Sequence, residues 1–262
     1  MFETARGLII DLDGTVYRGS EAVPGAVDFL TAARDAGMRL LYATNRSSRT
    51  PEVVRDQLRG YGLVCERDEI LTSAQATAAH LPPSFVHVIG GSGLRAALTE
   101  RGHHLVDTAL EDTPEHEQPD AVIVGYDPTV DYAALERAMR FIRAGARFIG
   151  TNADVKMNTD TGLSPGNGAI LAALETCSGV APEIVGKPSA AFFETAITRL
   201  GISRGNVWVI GDSIATDIRG ALGASLPAVL LLTGVSTRDE AEALPIDHVV
   251  ETWSDIAALL LH

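Results

Sequence analysis

The chain has 262 residues, of which 46% are apolar, so it can bury a substantial core and is long enough for two domains. Its 34 acidic residues outnumber 21 basic ones and no basic block stands out, which argues against a nucleic-acid partner. Cys65 and Cys177 lack metal-ligand spacing, the first residues show no signal-peptide pattern, and the longest apolar runs have only strand length. We therefore expect a cytoplasmic protein with two free core thiols and no membrane partner.

Short apolar runs alternate with helical patterns in both outer parts of the chain. The first part reads GLII, a helix near 25–36, RLLYA, and a helix near 51–61. After Pro182 the order is EIVG, a helix over 189–200, NVWVIG, a helix near 215–224, AVLLL, HVV and a last helix. Strands that are apolar throughout and joined by helices are typical of a parallel sheet covered on both faces. The sequence predicts an α/β protein with a Rossmann-like core.

The middle of the chain has its own strand and helix rhythm and predicts an inserted α/β domain. It contains VHVIG, AVIVG and RFIG, with helices near 94–101, 132–144 and 169–176. We predict core segments at 1–74 and 181–262 and an inserted domain at 75–180. The stretch VIGGSGLRAAL at 88–98 could cradle a phosphate, but it lacks the full dinucleotide spacing, so we interpret it as a tight turn.

Polar residues follow four strands of the outer parts. Asp11 and Asp13 follow GLII, Thr44 and Asn45 follow RLLYA, Lys187 follows EIVG and Asp212 follows NVWVIG. Each alone is explained by turn or cap chemistry. Because the carboxyl ends of parallel strands lie along one edge of a sheet, the four together predict one site.

Phosphoryl transfer through an aspartyl phosphate suits this set of residues. A carboxylate attacks a phosphate dianion only if cations screen the charge, and Lys187 and a magnesium ion held by Asp11 and Asp212 would do so. Thr44 and Asn45 can donate hydrogen bonds to phosphoryl oxygens, and Gly14 allows a close backbone approach.

A second acid beside the nucleophile is what hydrolysis of a phosphate ester requires. The leaving alkoxide needs a proton, and the phosphoaspartate then needs a base to activate water. One carboxyl group can do both in turn, so we predict that Asp11 attacks and that Asp13 transfers the proton.

The residues resemble the four ordered motifs of the haloacid dehalogenase superfamily. They are DLDGT at 11–15, TN at 44–45, GKP at 186–188 and GDSIATDI at 211–218. The long insertion, together with TNAD at 151–154, PGNGAI at 165–170 and LLTGVSTRDE at 231–240, is similar to the NagD-like, or p-nitrophenylphosphatase, branch with a large α/β cap.

The resemblance implies a role for each matching residue. Asp11 would be the nucleophile and a magnesium ligand, Asp13 the acid/base with its backbone carbonyl on the metal, and Asp212 a further ligand. Thr44, Asn45 and Lys187 would bind the phosphate, and Asp217 would lie near the metal, ordering its water shell or Lys187. The cofactor implied is Mg²⁺.

The segment 151–168 is rich in polar and turn-forming residues and follows a buried strand. By resemblance it faces the active site, and Asn152, Asp154 and Lys156 would contact the substrate. We expect a small soluble phosphomonoester, such as a sugar or glycerol phosphate, as the substrate. A phosphotransferase or phosphomutase, and a non-catalytic phosphate-sensing module, are the alternatives. Relatives with this cap often pair through it, which favours a homodimer.

Overall fold

The computed structural model describes residues 5–159, 162–242 and 244–260. The strands are β1 (Gly7–Asp11), β2 (Tyr17–Arg18), β3 (Glu21–Ala22), β4 (Arg39–Thr44), β5 (Ile70–Thr72), β6 (Phe85–Ile89), β7 (His104–Leu105), β8 (Ala121–Val124), β9 (Arg147–Gly150), β10 (Lys156–Thr159), β11 (Gly162–Pro165), β12 (Glu183–Ile184), β13 (Val207–Gly211), β14 (Ala228–Leu231) and β15 (His248–Val250). The helices are α1 (Ala26–Asp35), α2 (Pro51–Gly60), α3 (Ser73–His80), α4 (Ser92–Glu100), α5 (Tyr132–Arg143), α6 (Asn167–Ser178), α7 (Ala190–Leu200), α8 (Arg219–Gly223), α9 (Arg238–Ala241) and α10 (Trp253–Leu260).

The chain divides into two compact units. The core unit comprises Met1–Thr44, Pro51–Leu71 and Lys187–His262, and the inserted unit comprises Asn45–Thr50 and Thr72–Gly186. The main breaks in the structure fall at 71/72 and 186/187, where the sequence predicts 74/75 and 180/181, and residues 45–50 also group with the inserted unit, which the sequence does not predict. No helix among the described residues is long and apolar enough to cross a membrane.

The core unit is built on a six-stranded sheet in the order β15-β14-β13-β1-β4-β5. β1 pairs in parallel with β13 on one side and β4 on the other, and β14 and β15 extend the sheet in the same direction. The four residues before Asp11 in β1 are all buried, as expected for a strand covered on both faces. The predicted α/β fold with a parallel central sheet is confirmed.

The inserted unit has its own parallel sheet of five strands, in the order β12-β9-β8-β6-β7. Its core is formed by residues such as Val122, Phe141, Phe148 and Leu174. One prediction is wrong here: the segment EIVG contributes β12, which pairs with β9 of this sheet and is not a strand of the core sheet. With only two paired residues, it is too short for its apolar pattern to identify its sheet.

Two further expectations are corrected by the helices. α3 is absent from the sequence prediction because six of its eight residues are buried and small or polar, so no apolar stripe marks it. A capping box between Thr72 and Gln75 starts it. Cys65 is buried as predicted, but Cys177 is exposed, because it lies about 100° around α6 from the buried position Ser178.

Candidate active site

Three polar residues meet at the carboxyl edge of the core sheet. Asp11 is the last residue of β1, Thr44 is the last residue of β4, and Asp212 follows β13 directly. These strands are adjacent and parallel, and Asp11 lies opposite Ala43 in the register of β1 and β4. The sheet thus brings residues about 200 positions apart to one edge, which is where ligands bind in open α/β sheets.

Lys187 is buried in the core unit and joins two of its acids. Its Nζ donates to Asp11 Oδ1 at 2.5 Å, to Asp217 Oδ1 at 2.7 Å and to the carbonyl oxygen of Ala43 at 3.3 Å. Burial alone would lower the pKa of this lysine, but the charges of Asp11 and Asp217 outweigh it and raise the pKa above its usual value. Lys187 is therefore a fixed positive charge and hydrogen-bond donor.

Asp11, Asp212 and Asp217 form a compact acidic cluster. One carboxylate oxygen of each lies within 4.8 Å of the others, and Asp212 and Asp217 are almost fully buried. Burial, and then repulsion from the other two acids, raises the pKa of Asp212. Burial also raises the pKa of Asp217, although Lys187 opposes this. Asp217 sits in a π-helical turn, Ile214–Ile218, a distortion that is frequent at functional sites.

The turn after β1 holds the cluster in place. Thr15 Oγ1 lies 3.1 Å from Asp11 Oδ2 and 3.2 Å from Asp212 Oδ1, so its one proton is shared between two acids. Gly14 has a φ of +93°, and a Cβ there would lie 2.5 Å from Asp212 Oδ2. Its N–H donates to the carbonyl of Tyr17 at 2.8 Å. Gly14 therefore makes room for Asp212, and its amide is engaged within the turn.

The loop after β14 contributes residues that the strand-end analysis missed. The Val235 amide donates to Asp212 Oδ2 at 2.8 Å, and Thr233 Oγ1 donates to the Gly14 carbonyl at 2.7 Å. A Cβ at Gly234 would lie 1.7 Å from Asp212 Oδ2, so only glycine fits there. The signal was present, because TGVS follows the apolar run AVLLL at the carboxyl edge of the same sheet.

Asp13 is exposed and is not part of the acidic cluster. The Tyr17 hydroxyl, which belongs to a buried side chain, donates to Asp13 Oδ2 at 3.2 Å. Tyr17 opens the small hairpin of β2 and β3, so the hairpin fixes the carboxylate of Asp13 two residues from Asp11. The two acids of the DLDGT motif therefore have different environments: one beside a lysine, the other facing solvent.

The remaining predicted site residues belong to the inserted unit. The carbonyl of Asn45 accepts from Asn152 Nδ2 at 2.8 Å and from Ser73 Oγ at 2.7 Å. Asn152 is 4% exposed, and its Oδ1 accepts from the Asp154 amide at 3.1 Å. The structure thus gives Asn152 a bracing role within its own unit.

The segment 151–168 is more ordered than a loop tip. It contains an antiparallel hairpin of β10 and β11, in which Lys156 is exposed and pairs with Pro165. Asp154, just before the hairpin, is half-buried. Residues 160 and 161 of this segment lie outside the described residues.

Comparison with known proteins identifies the family. A model of haloacid dehalogenase-like hydrolases matches residues 8–104, and a second model of HAD-like hydrolases matches 184–256. The chain is 38% identical over 241 residues to an acid sugar phosphatase from Staphylococcus saprophyticus, covering 90% of each chain. It is 36% identical to the 5'-nucleotidase YutF from Bacillus subtilis, covering 90% of this chain and 91% of the relative.

A solved phosphatase structure also resembles this chain over nearly its whole length. The crystal structure of a glycerol phosphate phosphatase from Mycobacterium tuberculosis in complex with magnesium matches with a TM-score of 0.88 and 34% identity. The match covers 97% of this chain and 77% of that one. The chain therefore belongs to the haloacid dehalogenase superfamily, as a hydrolase of its NagD-like phosphatase branch.

Proposed function

We propose that this chain is a magnesium-dependent phosphatase that hydrolyses small phosphomonoesters through an aspartyl phosphate on Asp11. The observation that carries the proposal is the arrangement of Lys187 and the acidic cluster at the edge of the core sheet. Asp11 is held at both oxygens, by Lys187 on one and by Thr15 on the other. A nucleophile fixed in this way needs little reorganisation before an in-line attack.

The acidic cluster fits a divalent cation. Three carboxylates face one ammonium, so two negative charges remain uncompensated among the described groups of the cluster. Burial first, and then repulsion from neighbouring acids, raises the pKa values of Asp212 and Asp217, and a bound cation would relieve the repulsion. Hard oxygen ligands of this kind suit Mg²⁺, which would be held by Asp11, Asp212 and the backbone carbonyl of Asp13, with Asp217 close by. Bound there, the ion would supply positive charge to screen the incoming phosphate.

The two acids of the motif then divide the reaction. Asp11 forms a bond to phosphorus as the ester oxygen leaves, and Asp13, when protonated, gives its proton to that oxygen. Water next attacks the phosphoaspartate, Asp13 takes up the proton, and the Asp11–phosphorus bond breaks to release phosphate. The Tyr17 hydroxyl, which donates to Asp13 Oδ2, would orient this carboxyl group. Lys187, Thr44 and Asn45 would bind the phosphoryl oxygens.

The substrate class is proposed from the relatives. The relatives are named as an acid sugar phosphatase, a 5'-nucleotidase and a glycerol phosphate phosphatase, and substrates of these classes are phosphate esters. We propose a sugar or glycerol phosphate, selected by the segment that carries Asn152, Asp154 and Lys156. Within that segment Lys156 is exposed and Asp154 is half-buried, whereas the amide of Asn152 is engaged within its own unit.

The test measures phosphate release from p-nitrophenyl phosphate and from glycerol 3-phosphate, a hexose phosphate and a nucleoside monophosphate, with magnesium and with EDTA. Rapid acid quench with ³²P-labelled substrate should trap a phosphoprotein that neutral hydroxylamine cleaves, as expected for an acyl phosphate. Asp11→Asn should lose both turnover and label, because an amide cannot form the intermediate. Asp35→Asn, an exposed acid of the same unit, is the matched control and should keep both.

Three outcomes would contradict the proposal. They are turnover that persists in EDTA, an Asp11→Asn variant that keeps a substantial part of wild-type turnover, and label that appears in an added sugar acceptor and not in free phosphate. The last result would favour the phosphotransferase alternative.

A further inference from the structure

The inserted unit contains a polar cavity of about 220 Å³ that the phosphatase chemistry does not use. It lies at the carboxyl ends of β6 and β8, the edge where open α/β sheets bind ligands. Val88, Ile89, Val130 and Ala134 form its apolar lining. Its charged and titratable lining consists of His87, Arg95, Asp107, Asp127, Asp131 and Arg137.

His87 presents an unsatisfied acceptor to this cavity. The residue is 3% exposed, and its Nδ1 lies 2.8 Å from the carbonyl oxygen of Val106. A carbonyl only accepts, so Nδ1 carries the proton and Nε2 of the neutral ring is a lone-pair acceptor. Burial lowers the pKa of His87 and, although the Val106 bond opposes this, the charge of Arg137 adds to it, which favours the neutral ring. Nε2 is buried and has no hydrogen-bond partner among the described residues.

Arg137 presents the complementary donor. Its Nε is buried and likewise has no partner in the described part of the chain. A guanidinium only donates, so the pair lacks one donor for His87 and one acceptor for Arg137. A buried polar atom left without a partner costs about 1–3 kcal/mol, so a small molecule that pairs with both atoms would bind more tightly for it. The cavity is several times the roughly 30 Å³ that one water occupies in the liquid.

The carboxylates of the lining are already engaged. Asp131 Oδ1 accepts from the Ala134 amide at 2.7 Å and so caps α5, and Asp127 Oδ1 accepts from the amide and hydroxyl of Thr129. Asp107 pairs with Arg95 at 3.1 Å. Three carboxylates against two guanidiniums disfavour a phosphate dianion and favour a ligand that carries both charges.

We propose that this cavity binds a small α-amino acid, with its carboxylate on Arg137 Nε and its ammonium on His87 Nε2. The carboxylate and the ammonium of an α-amino acid lie on adjacent carbons, so one molecule supplies the acceptor for Arg137 and the donor for His87. The ammonium also meets the negative excess of the three aspartates. A cavity of this volume admits only a short side chain, since pockets for drug-sized ligands begin at about 300 Å³. The site would therefore take a metabolite that is not a phosphate ester.

The test is isothermal titration calorimetry on the full chain with glycine, L-alanine and L-serine. Propionate, ethylamine and L-lactate serve as matched probes, because they lack the ammonium, lack the carboxylate, and carry a hydroxyl in place of the ammonium. We expect at least one amino acid to bind with a dissociation constant of about 1 mM or below. The three matched probes should each bind about 10-fold to 100-fold more weakly than L-alanine, or not at all, because each lacks a charge-assisted hydrogen bond.

Two variants locate the site. Arg137→Met and His87→Phe should each weaken amino-acid binding by about 10-fold to 100-fold. Arg143→Met, at an exposed position on the same helix, should not. No binding of any of the three amino acids, equal binding of L-alanine and propionate or L-lactate, or unchanged binding in Arg137→Met would overturn the proposal. The probe series needs no variant, so it decides the question even if His87→Phe fails to fold.

Discussion

Replacing Asp212 with asparagine should stabilise the metal-free core unit while removing its response to magnesium. The substitution keeps the shape of the side chain, and the asparagine oxygen can still accept from the Val235 amide. In the variant, the amide group of the asparagine side chain would donate to Thr15 Oγ1, and the Thr15 hydroxyl would then donate to Asp11 alone. The change therefore removes one buried negative charge and few hydrogen bonds.

The magnitude follows from the pKa of Asp212. Burial first, and then the charges of Asp11 and Asp217, raise it from 3.8 to about 7. A shift of this size corresponds to about 4 kcal/mol against the folded state once the group is ionised. Asp217 shares the same repulsion, so protonation of either acid relieves part of it. We expect the free energy of unfolding of metal-free Asp212→Asn to exceed that of wild type by about 1–4 kcal/mol at pH 8.

The sign of the pH dependence follows from the direction of the shift. A carboxyl whose folded pKa lies above its unfolded value destabilises the fold only when it is ionised. The free-energy penalty that Asp212 imposes on the folded state is absent below pH 3.8, grows between pH 3.8 and about pH 7, and is constant at higher pH. The advantage of Asp212→Asn should therefore be large at pH 8 and small at pH 4.5.

Tryptophan fluorescence reports the unfolding of the core unit, which contains Asp212. Both tryptophans, Trp208 and Trp253, belong to the core unit and are buried. Urea unfolding in EDTA at the two pH values gives the metal-free difference, and repetition with magnesium gives the metal response. Wild type should gain about 2.7 kcal/mol at 100 times the dissociation constant, and the variant much less. Asp35→Asn should stay within about 0.5 kcal/mol of wild type. A metal-free Asp212→Asn that is less stable than wild type at pH 8 would refute the argument for a cation at this cluster.

Three further predictions concern catalysis. Asp13→Asn should lower turnover by roughly 10² to 10⁴, and less for p-nitrophenyl phosphate than for an alkyl ester, because nitrophenolate needs no proton to leave; equal losses would exclude the acid/base role. Thr15→Val should lower kcat about 10-fold to 100-fold, because the hydroxyl orients Asp11, and Thr15→Ser should restore it. A serine variant as slow as the valine variant would show that Thr15 acts through packing. A Gly/Ser linker in place of residues 154–162 should reorder a substrate panel more than it changes p-nitrophenyl phosphate hydrolysis, whereas the same linker in place of exposed 114–118 should leave the order unchanged.

The grouping of polar residues at the carboxyl edge of the core sheet could be predicted, because parallel strands all end at the same edge of a sheet. Once GLII, RLLYA and NVWVIG are recognised as parallel strands, Asp11, Thr44 and Asp212 must lie on one edge. The inference does not extend to Lys187. Its preceding strand β12 belongs to the other sheet, so the lysine reaches Asp11 by a route that the strand-end rule does not describe.

What the sequence did not predict depends on contacts between distant residues. The pair of unsatisfied atoms in the inserted unit is an example, because His87 lies in the middle of an apolar strand and Arg137 on an amphipathic helix. Nothing local distinguishes His87 from a core histidine or Arg137 from a solvated one. Only the fold shows that both line one cavity and that neither nitrogen has a partner among the described residues.

The loop after β14 also lies at the carboxyl edge of the core sheet, where the strand-end rule applies. The same reasoning that selected Asp11 and Asp212 applies to TGVS, which follows an apolar run of the same sheet. The resemblance includes this segment, but the strand-end rule assigns it no role because its contribution is mainly backbone: the Val235 amide donates to Asp212, and Gly234 leaves room for it. Side-chain chemistry marks nucleophiles and metal ligands in a sequence, whereas an amide donor is carried by every residue except proline. The part of a site that holds a carboxylate in place is therefore harder to predict from sequence than the carboxylate itself, and at Gly234 only the structure shows why no side chain fits beside Asp212.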